Sequence, residues 1–290
     1  MTTTAVGVVG AGTMGIGIAV VSARAGQVTA VHDVDPDRIT AGIEMASSFL
    51  RRGAALGKTA PEDAETAVAR LVPAPRLADL SEASIVIEAA FERLDVKQAL
   101  LADLDGVLGD DALVHTNTST LSVTAIAAGS KYPERVVGTH YCNPAPLMAL
   151  VEVVRGRRTA DDAFDRTMAF LEGLGKATVV ARDSPGFIVN RFLIPWENRA
   201  IRLLEAGVAS VEAIDTALKR ALGYPMGPFE LLDVVGLDLH REVSLRLFEQ
   251  LREPRFAPPP LVDRMIAAGD LGRKAGRGFY RYQSSKTFGA

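Results

Sequence analysis

Ala5-Val6-Gly7-Val8-Val9-Gly10-Ala11-Gly12-Thr13-Met14-Gly15 is the stretch that decides the fold. An apolar, strand-like run, Ala5 to Val9, leads directly into a G-x-G-x-x-G turn that opens a helical pattern. The glycine spacing alone is a weak signal, and a tight turn would explain it. Placed between a strand and a helix, it marks a dinucleotide-binding turn. Gly10 permits the bend, Gly12 lets backbone approach a pyrophosphate, and Gly15 lets helix and strand pack closely. With Thr13 and Met14 these residues are the candidate cofactor turn, where a helix N-terminus offers N–H groups and partial positive charge to phosphate. The motif requires an acid about 20 residues on, at the end of the second strand, for the ribose hydroxyls. Asp33 stands there, directly after Val28 to His32. An acid in that place repels a 2′-phosphate, and Val34-Asp35 supplies no basic clamp, so the expected cofactor is NAD rather than NADP.

Outward from this turn, strand-like runs alternate with helical patterns. Val28 to His32, Ile85 to Ile87, Leu113 to His115, Val136 to His140, Leu150 to Val154 and Ala177 to Val180 read as further strands. Met14 to Ala25, Pro36 to Arg52, Pro61 to Arg70 and Leu94 to Leu108 read as helices between them. Such alternation predicts a mostly parallel sheet covered on both faces. The β signals stop after Arg182-Asp183-Ser184-Pro185-Gly186. Helical spacing then holds over Phe187 to Ala206, Val211 to Leu222, Phe229 to Val235, Leu239 to Leu251 and Leu261 to Ala268. The expected fold class is α/β: a Rossmann-like NAD-binding domain over residues 1–183, then an all-α domain over 184–290 for substrate binding and dimerisation.

A 290-residue chain with 48% apolar residues has material for a large core. Its net charge of −3 lacks the basic footprint of a general nucleic-acid binder. The single cysteine, Cys142, excludes an internal disulfide and suits a reducing cytoplasm. The N-terminus lacks a basic n-region, and no apolar stretch is long enough to span a bilayer, so no membrane association is expected. The four histidines form no His-x-x-x-His pair, so no metal is expected.

The chemistry concentrates between Gly138 and Val153. Two prolines, Pro144 and Pro146, force a turn between the strand ending near His140 and the strand Leu150 to Val154. Glu152 lies inside that second strand, where an ionised carboxylate is costly unless paired. His140 is its natural partner, and a histidine oriented by a buried carboxylate is suited to general-base work. The alternative places Glu152 in solvent on an edge strand, with His140 an ordinary core residue. Hydride transfer from an alcohol needs such a base near the carbinol oxygen. Ser119, in the Asn117-Thr118-Ser119-Thr120 run, either bonds the substrate oxygen, helps position His140, or caps the helix starting near Ser122. Asn190 lies one turn into the first helix of the second domain, suited to substrate contact or to a domain-interface hydrogen bond.

On these residues the chain resembles the 3-hydroxyacyl-CoA dehydrogenase family, and the short 3-hydroxybutyryl-CoA dehydrogenases within it. The matching blocks are Gly10 to Gly15, Ile87-Glu88-Ala89, Asn117-Thr118-Ser119 and Gly138 to Val153. They continue with Asp183 to Arg191, Gly223 to Leu231 and Gly276-Arg277-Gly278-Phe279-Tyr280. The resemblance implies a homodimeric NAD oxidoreductase acting on a short 3-hydroxyacyl-CoA. It implies His140 as base, Glu152 as its orienting acid, and Ser119 and Asn190 as further active-site residues. It places Glu92, Lys97 and Asn143 among the NAD contacts.

The chain also departs from the family pattern. Tyr141-Cys142 stands where two aromatics are usual, Thr120 replaces a serine, and Ala149 replaces a basic residue. Lysines usual between the second helix and third strand are reduced to Arg51, Arg52 and Lys58. Arg51 and Arg52 are candidate clamps for a CoA phosphate, or else a solvated helix end. These changes bear on the substrate more than on the reaction. The same chemistry on an acyl group carried by an acyl carrier protein is the second expectation. A non-catalytic NAD-binding protein is the third, but it should lack His140, Glu152 or Asn190.

Overall fold

The structure, a computed structural model, describes residues 6–282. Ala5, the expected start of the first strand, lies outside them. The described chain divides into two compact units that meet at Ser184–Pro185.

In the first unit the elements run β1 (Val6–Val9), α1 (Thr13–Arg24), β2 (Thr29–His32), α2 (Pro36–Ala55), α3 (Pro61–Ala69) and β3 (Leu71–Pro73). They continue with β4 (Ile85–Glu88), α4 (Leu94–Leu104), β5 (Leu113–Thr116), α5 (Val123–Ala127), β6 (Val136–Tyr141), β7 (Leu150–Arg155), α6 (Asp161–Gly173) and β8 (Ala177–Arg182). The eight strands form one sheet in the order β3-β2-β1-β4-β5-β6-β7-β8. All neighbours are parallel except β6 and β7. β1, β2, β4, β5 and β6 are buried along their whole length, as strands covered on both faces must be. β3 was not expected: three residues ending in proline carry too little pattern to announce a strand. α4 stops at Leu104, short of the expected Leu108, where the chain turns through Asp105-Gly106.

Local chemistry explains the helix starts. Pro36 opens α2, and the Asp35 carboxylate accepts from Asp37 N at 3.0 Å. Ile39, Gly42, Ala46 and Leu50 form its buried stripe. α1 is buried on all sides from Gly15 to Ala23, which a sequence apolar at every one of these positions but Ser22 permits. Val86, Val114 and Val136 of neighbouring strands pack with Leu101, Leu104 and Ile126 of α4 and α5. Each such burial contributes about 1.5–3 kcal/mol.

The chain leaves β1 toward β2 and β3, then returns to the other side of β1 as β4. That reversal opens a crevice at the carboxyl ends of the strands, the usual ligand position in such sheets.

The second unit is helical: α7 (Val189–Glu205), α8 (Val211–Leu222), α9 (Pro228–Val235), α10 (Leu237–Leu251) and α11 (Pro260–Ala267). α7 starts two residues later than the apolar spacing suggests, because Phe187 takes φ +46, outside the helical region. Ile201, Ile214, Phe229, Leu232, Leu237 and Val262 form its core. The Asp233 carboxylate accepts from Phe279 N, Tyr280 N and Tyr282 Oη at 2.9 Å each, fastening the final described segment to α9.

Candidate active site

The glycine turn joins β1 to α1 as its spacing requires. Gly10 has φ +105, and a Cβ there would meet the Ala89 carbonyl oxygen at 2.6 Å. A Cβ on Gly15 would sit 1.8 Å from the Gly10 oxygen. A Cβ on Gly12 meets nothing within 4 Å, so open space lies above the turn. Gly12 begins α1 with no side-chain cap. Asp33, at the tip of β2, accepts from Ala11 N at 2.8 Å and from Asp35 N at 3.1 Å. Turn, uncapped helix start and acid thus lie together, an arrangement that fits the pyrophosphate and ribose of a dinucleotide. Thr13 is exposed and Met14 half-buried at the same edge.

Further along that edge, β6 and β7 place His140 directly opposite Glu152 in an antiparallel pair. Glu152 is fully buried and His140 is 6% exposed. His140 Nδ1 lies 2.7 Å from Glu152 Oε2. The sheet's edge at this end is β8, outside β7, so the solvent-facing alternative for Glu152 is excluded. An ionised carboxylate only accepts, so in the neutral ring Nδ1 carries the proton and Nε2 faces Ser119 Oγ, 3.1 Å away. The capping alternative for Ser119 also fails: Ser122 caps α5, accepting from Ala125 N at 3.2 Å. Asn117 Oδ1 accepts from Tyr141 N at 2.9 Å and so anchors the chain just past His140.

Several supports of this site carry no signal in the sequence. The Asp183 carboxylate takes Ser122 Oγ, Val123 N and Thr124 N at 2.8, 2.9 and 2.8 Å, holding the start of α5. Thr116 Oγ1 donates to Glu88 at 2.6 Å. Lys97, expected beside the nucleotide, has no exposed surface. Its Nζ lies 2.6 Å from Glu88 Oε1 and 3.5 Å from Glu92 Oε2. Glu92 accepts from the Thr118–Thr120 turn. Burial pushes the Glu92 carboxyl up, but Lys97 and these donors outweigh it and hold the group below its ordinary value. No residue type announces such contacts, most of which join segments far apart in sequence.

Asn143 is exposed in the loop after β6, and Asn190 is half-buried in the first turn of α7. Arg51 is engaged by Glu65 through two bonds of 2.7 and 2.9 Å; with Arg52 it lines an open groove along α2. Burial and the Glu152 charge push the Cys142 thiol up, away from a nucleophilic role. Among the described residues no cluster of three or more His, Cys, Asp or Glu could hold a metal, and no helix is long and apolar enough to cross a membrane.

A doubly wound sheet with a glycine turn, an acid at β2 and polar groups along the same edge defines a dinucleotide-dependent oxidoreductase. Residues 5–184 match the NAD-binding domain of 3-hydroxyacyl-CoA dehydrogenase, and residues 186–282 match its C-terminal domain. The chain belongs to the 3-hydroxyacyl-CoA dehydrogenase family, and its cofactor is NAD. It is 44% identical over 282 residues to a 3-hydroxybutyryl-CoA dehydrogenase of Bradyrhizobium diazoefficiens, covering 97% of this chain and 96% of that protein. It is 45% identical over 279 residues to a protein of the same description from Mycobacterium tuberculosis, covering 96% and 98%. The crystal structure of M. tuberculosis FadB2 superposes with a TM-score of 0.94 at 44% identity, covering 98% of this chain and 100% of that one. That of the (S)-3-hydroxybutyryl-CoA dehydrogenase from Ralstonia eutropha gives 0.90 at 39%, again covering 98% and 100%.

Proposed function

We propose that this enzyme oxidises the C3 hydroxyl of a short 3-hydroxyacyl-CoA, such as 3-hydroxybutyryl-CoA, and runs the reverse reaction through the same groups. The observation that carries this reading is His140 bonded to buried Glu152 on one side and facing Ser119 on the other. NAD supplies the acceptor for the hydride leaving C3. His140 Nε2 takes the hydroxyl proton, and Glu152 stabilises the imidazolium that results. In reverse, the charged ring returns that proton to the developing alkoxide. Ser119 and Asn190 hold the substrate oxygen and the thioester. Gly10, Gly12, Thr13, Met14 and Gly15 bind the pyrophosphate side of the cofactor and Asp33 the ribose, with Ser119 and Asn143 completing that site and the Lys97–Glu92 pair supporting it from behind rather than touching the nucleotide. Arg51 and Arg52 meet the CoA phosphates.

We also infer a cytoplasmic homodimer. A single half-buried thiol suits a reducing compartment. Ile188 and Phe192, at 50% and 68% exposure, leave apolar surface on the helical unit that a second copy can cover. A monomer in light scattering at assay concentration overturns the dimer.

The test is NADH absorbance with a panel of CoA thioesters and their carrier-protein counterparts. Turnover should be highest with a short CoA thioester and with NAD. A strong preference for the carrier form moves the substrate to that class. A preference for NADP removes Asp33 from its role.

A further inference from the structure

The Ser119–His140 contact depends on where an irregular loop places one hydroxyl. Ser119 lies between β5 and α5, in neither element. Its position is set from below by a single oxygen. Glu92 Oε1 accepts from Thr118 Oγ1 at 2.7 Å, Ser119 N at 2.8 Å, Thr120 N at 2.9 Å and Thr120 Oγ1 at 3.1 Å. Fixing the N–H groups of both Ser119 and Thr120 fixes the peptide planes on either side of the serine, and hence the direction of its Cβ. The other oxygen, Oε2, faces the buried ammonium of Lys97. Lys97 is held in turn by Glu88, which is fastened to Ala90 N at 2.7 Å and to Thr116.

We propose that Glu92 is a positioning residue for the reaction: its carboxylate pins the Thr118–Thr120 turn so that Ser119 Oγ meets His140 Nε2, with Lys97 as its counter-ion. This rests on the roles given above to Ser119 and His140, and it differs from a simple nucleotide contact. Donors converge on one oxygen of Glu92 and an ammonium faces the other. Both sides therefore need an acceptor, which only a carboxylate provides. An amide would turn its NH2 either on the lysine or on the turn.

The test is steady-state kinetics on the full-length enzyme carrying Glu92→Gln, Ser119→Ala, both together, and His140→Gln. Glu92→Gln should lower kcat on the order of tenfold to a hundredfold, the scale of a small misplacement of reacting groups. The KM for NAD should move by less than about threefold, since the change acts on positioning rather than on uniform binding. In the Ser119→Ala background the same substitution should cost kcat less than about twofold, because residues acting through one another do not add. An undiminished loss in that background, or a rise in the KM for NAD with kcat intact, overturns the assignment while leaving the roles of Ser119 and His140 standing. Normal turnover in Ser119→Ala or His140→Gln removes those roles and this inference with them. If circular dichroism shows that Glu92→Gln is unfolded, Thr118→Val decides the matter. It removes one donor and should give the same signature at smaller size; equal losses with and without Ser119 count against it.

Discussion

Among the described residues two imidazole–carboxylate pairs lie buried, one in each unit, and they differ in what the second ring nitrogen meets. In the sheet unit, His140 Nδ1 bonds Glu152 at 2.7 Å, and Nε2 faces the hydroxyl of Ser119. In the helical unit, His240 Nδ1 lies 3.0 Å from Glu197 Oε2, and Nε2 lies 3.0 Å from Asn198 Oδ1. Asn198 Nδ2 donates to Ser244 Oγ at 3.0 Å and to the Arg255 carbonyl at 3.1 Å, which fixes the direction of that amide. Both nitrogens of His240 are therefore taken up by fixed neighbours, and the ring presents neither one to a substrate. The pair itself is common to both regions. The third partner decides whether an imidazole can serve as an acid and base or only as a brace.

The largest expected effect separates the two directly. His140→Gln or Glu152→Gln should lower turnover by roughly two orders of magnitude or more, read from NADH formation. Near-normal turnover in either variant breaks the comparison. Next, His240→Ala should cost about 3–5 kcal/mol of stability in denaturant unfolding, because it strands a buried acid. Turnover per folded molecule should stay within about twofold of the parent, the ordinary scatter of a change away from the site. A specific loss of kcat there would give the second pair a catalytic part.

The smallest effect concerns acid. The folded Glu92 carboxyl titrates below its ordinary value of 4.5. Its stabilising contribution is thus complete above that value and is lost as pH falls through the lower, folded one. Urea midpoints measured downward from pH 5 should fall less steeply in Glu92→Gln than in the parent. An identical acid limb in the two proteins would show that Glu92 is not held as its contacts imply.

The sequence made some parts of this legible and hid others, for physical reasons. Gly10 to Gly15 and Asp33 could be read because a backbone bend and a close approach admit few residue types. Glu152 could be read because an acid within Leu150–Val154 breaks an apolar strand, with a histidine just across a proline turn. β3 could not: Leu71-Val72-Pro73 is a strand only because β2 is there to pair with it. Asp183 opens the Asp183–Arg191 block, but its bonds to the start of α5 join positions about sixty residues apart. The Glu92 contacts also lie between loops, where no periodicity points from one to the other. Ser122, one turn beyond Ser119, is the cap, and three residues' difference in that assignment decides what Ser119 is free to do.

Since His140 and Glu152 are rungs of one two-stranded ladder, alternation across the sheet guards their meeting. Lengthening the connection between the two strands leaves the rungs matched. Deleting one residue between Glu152 and the end of its strand, with the following rungs held in register, turns that carboxylate to the opposite side of the sheet and abolishes the couple without touching either partner. A change of length should therefore spare the couple at the bend and break it a few residues later.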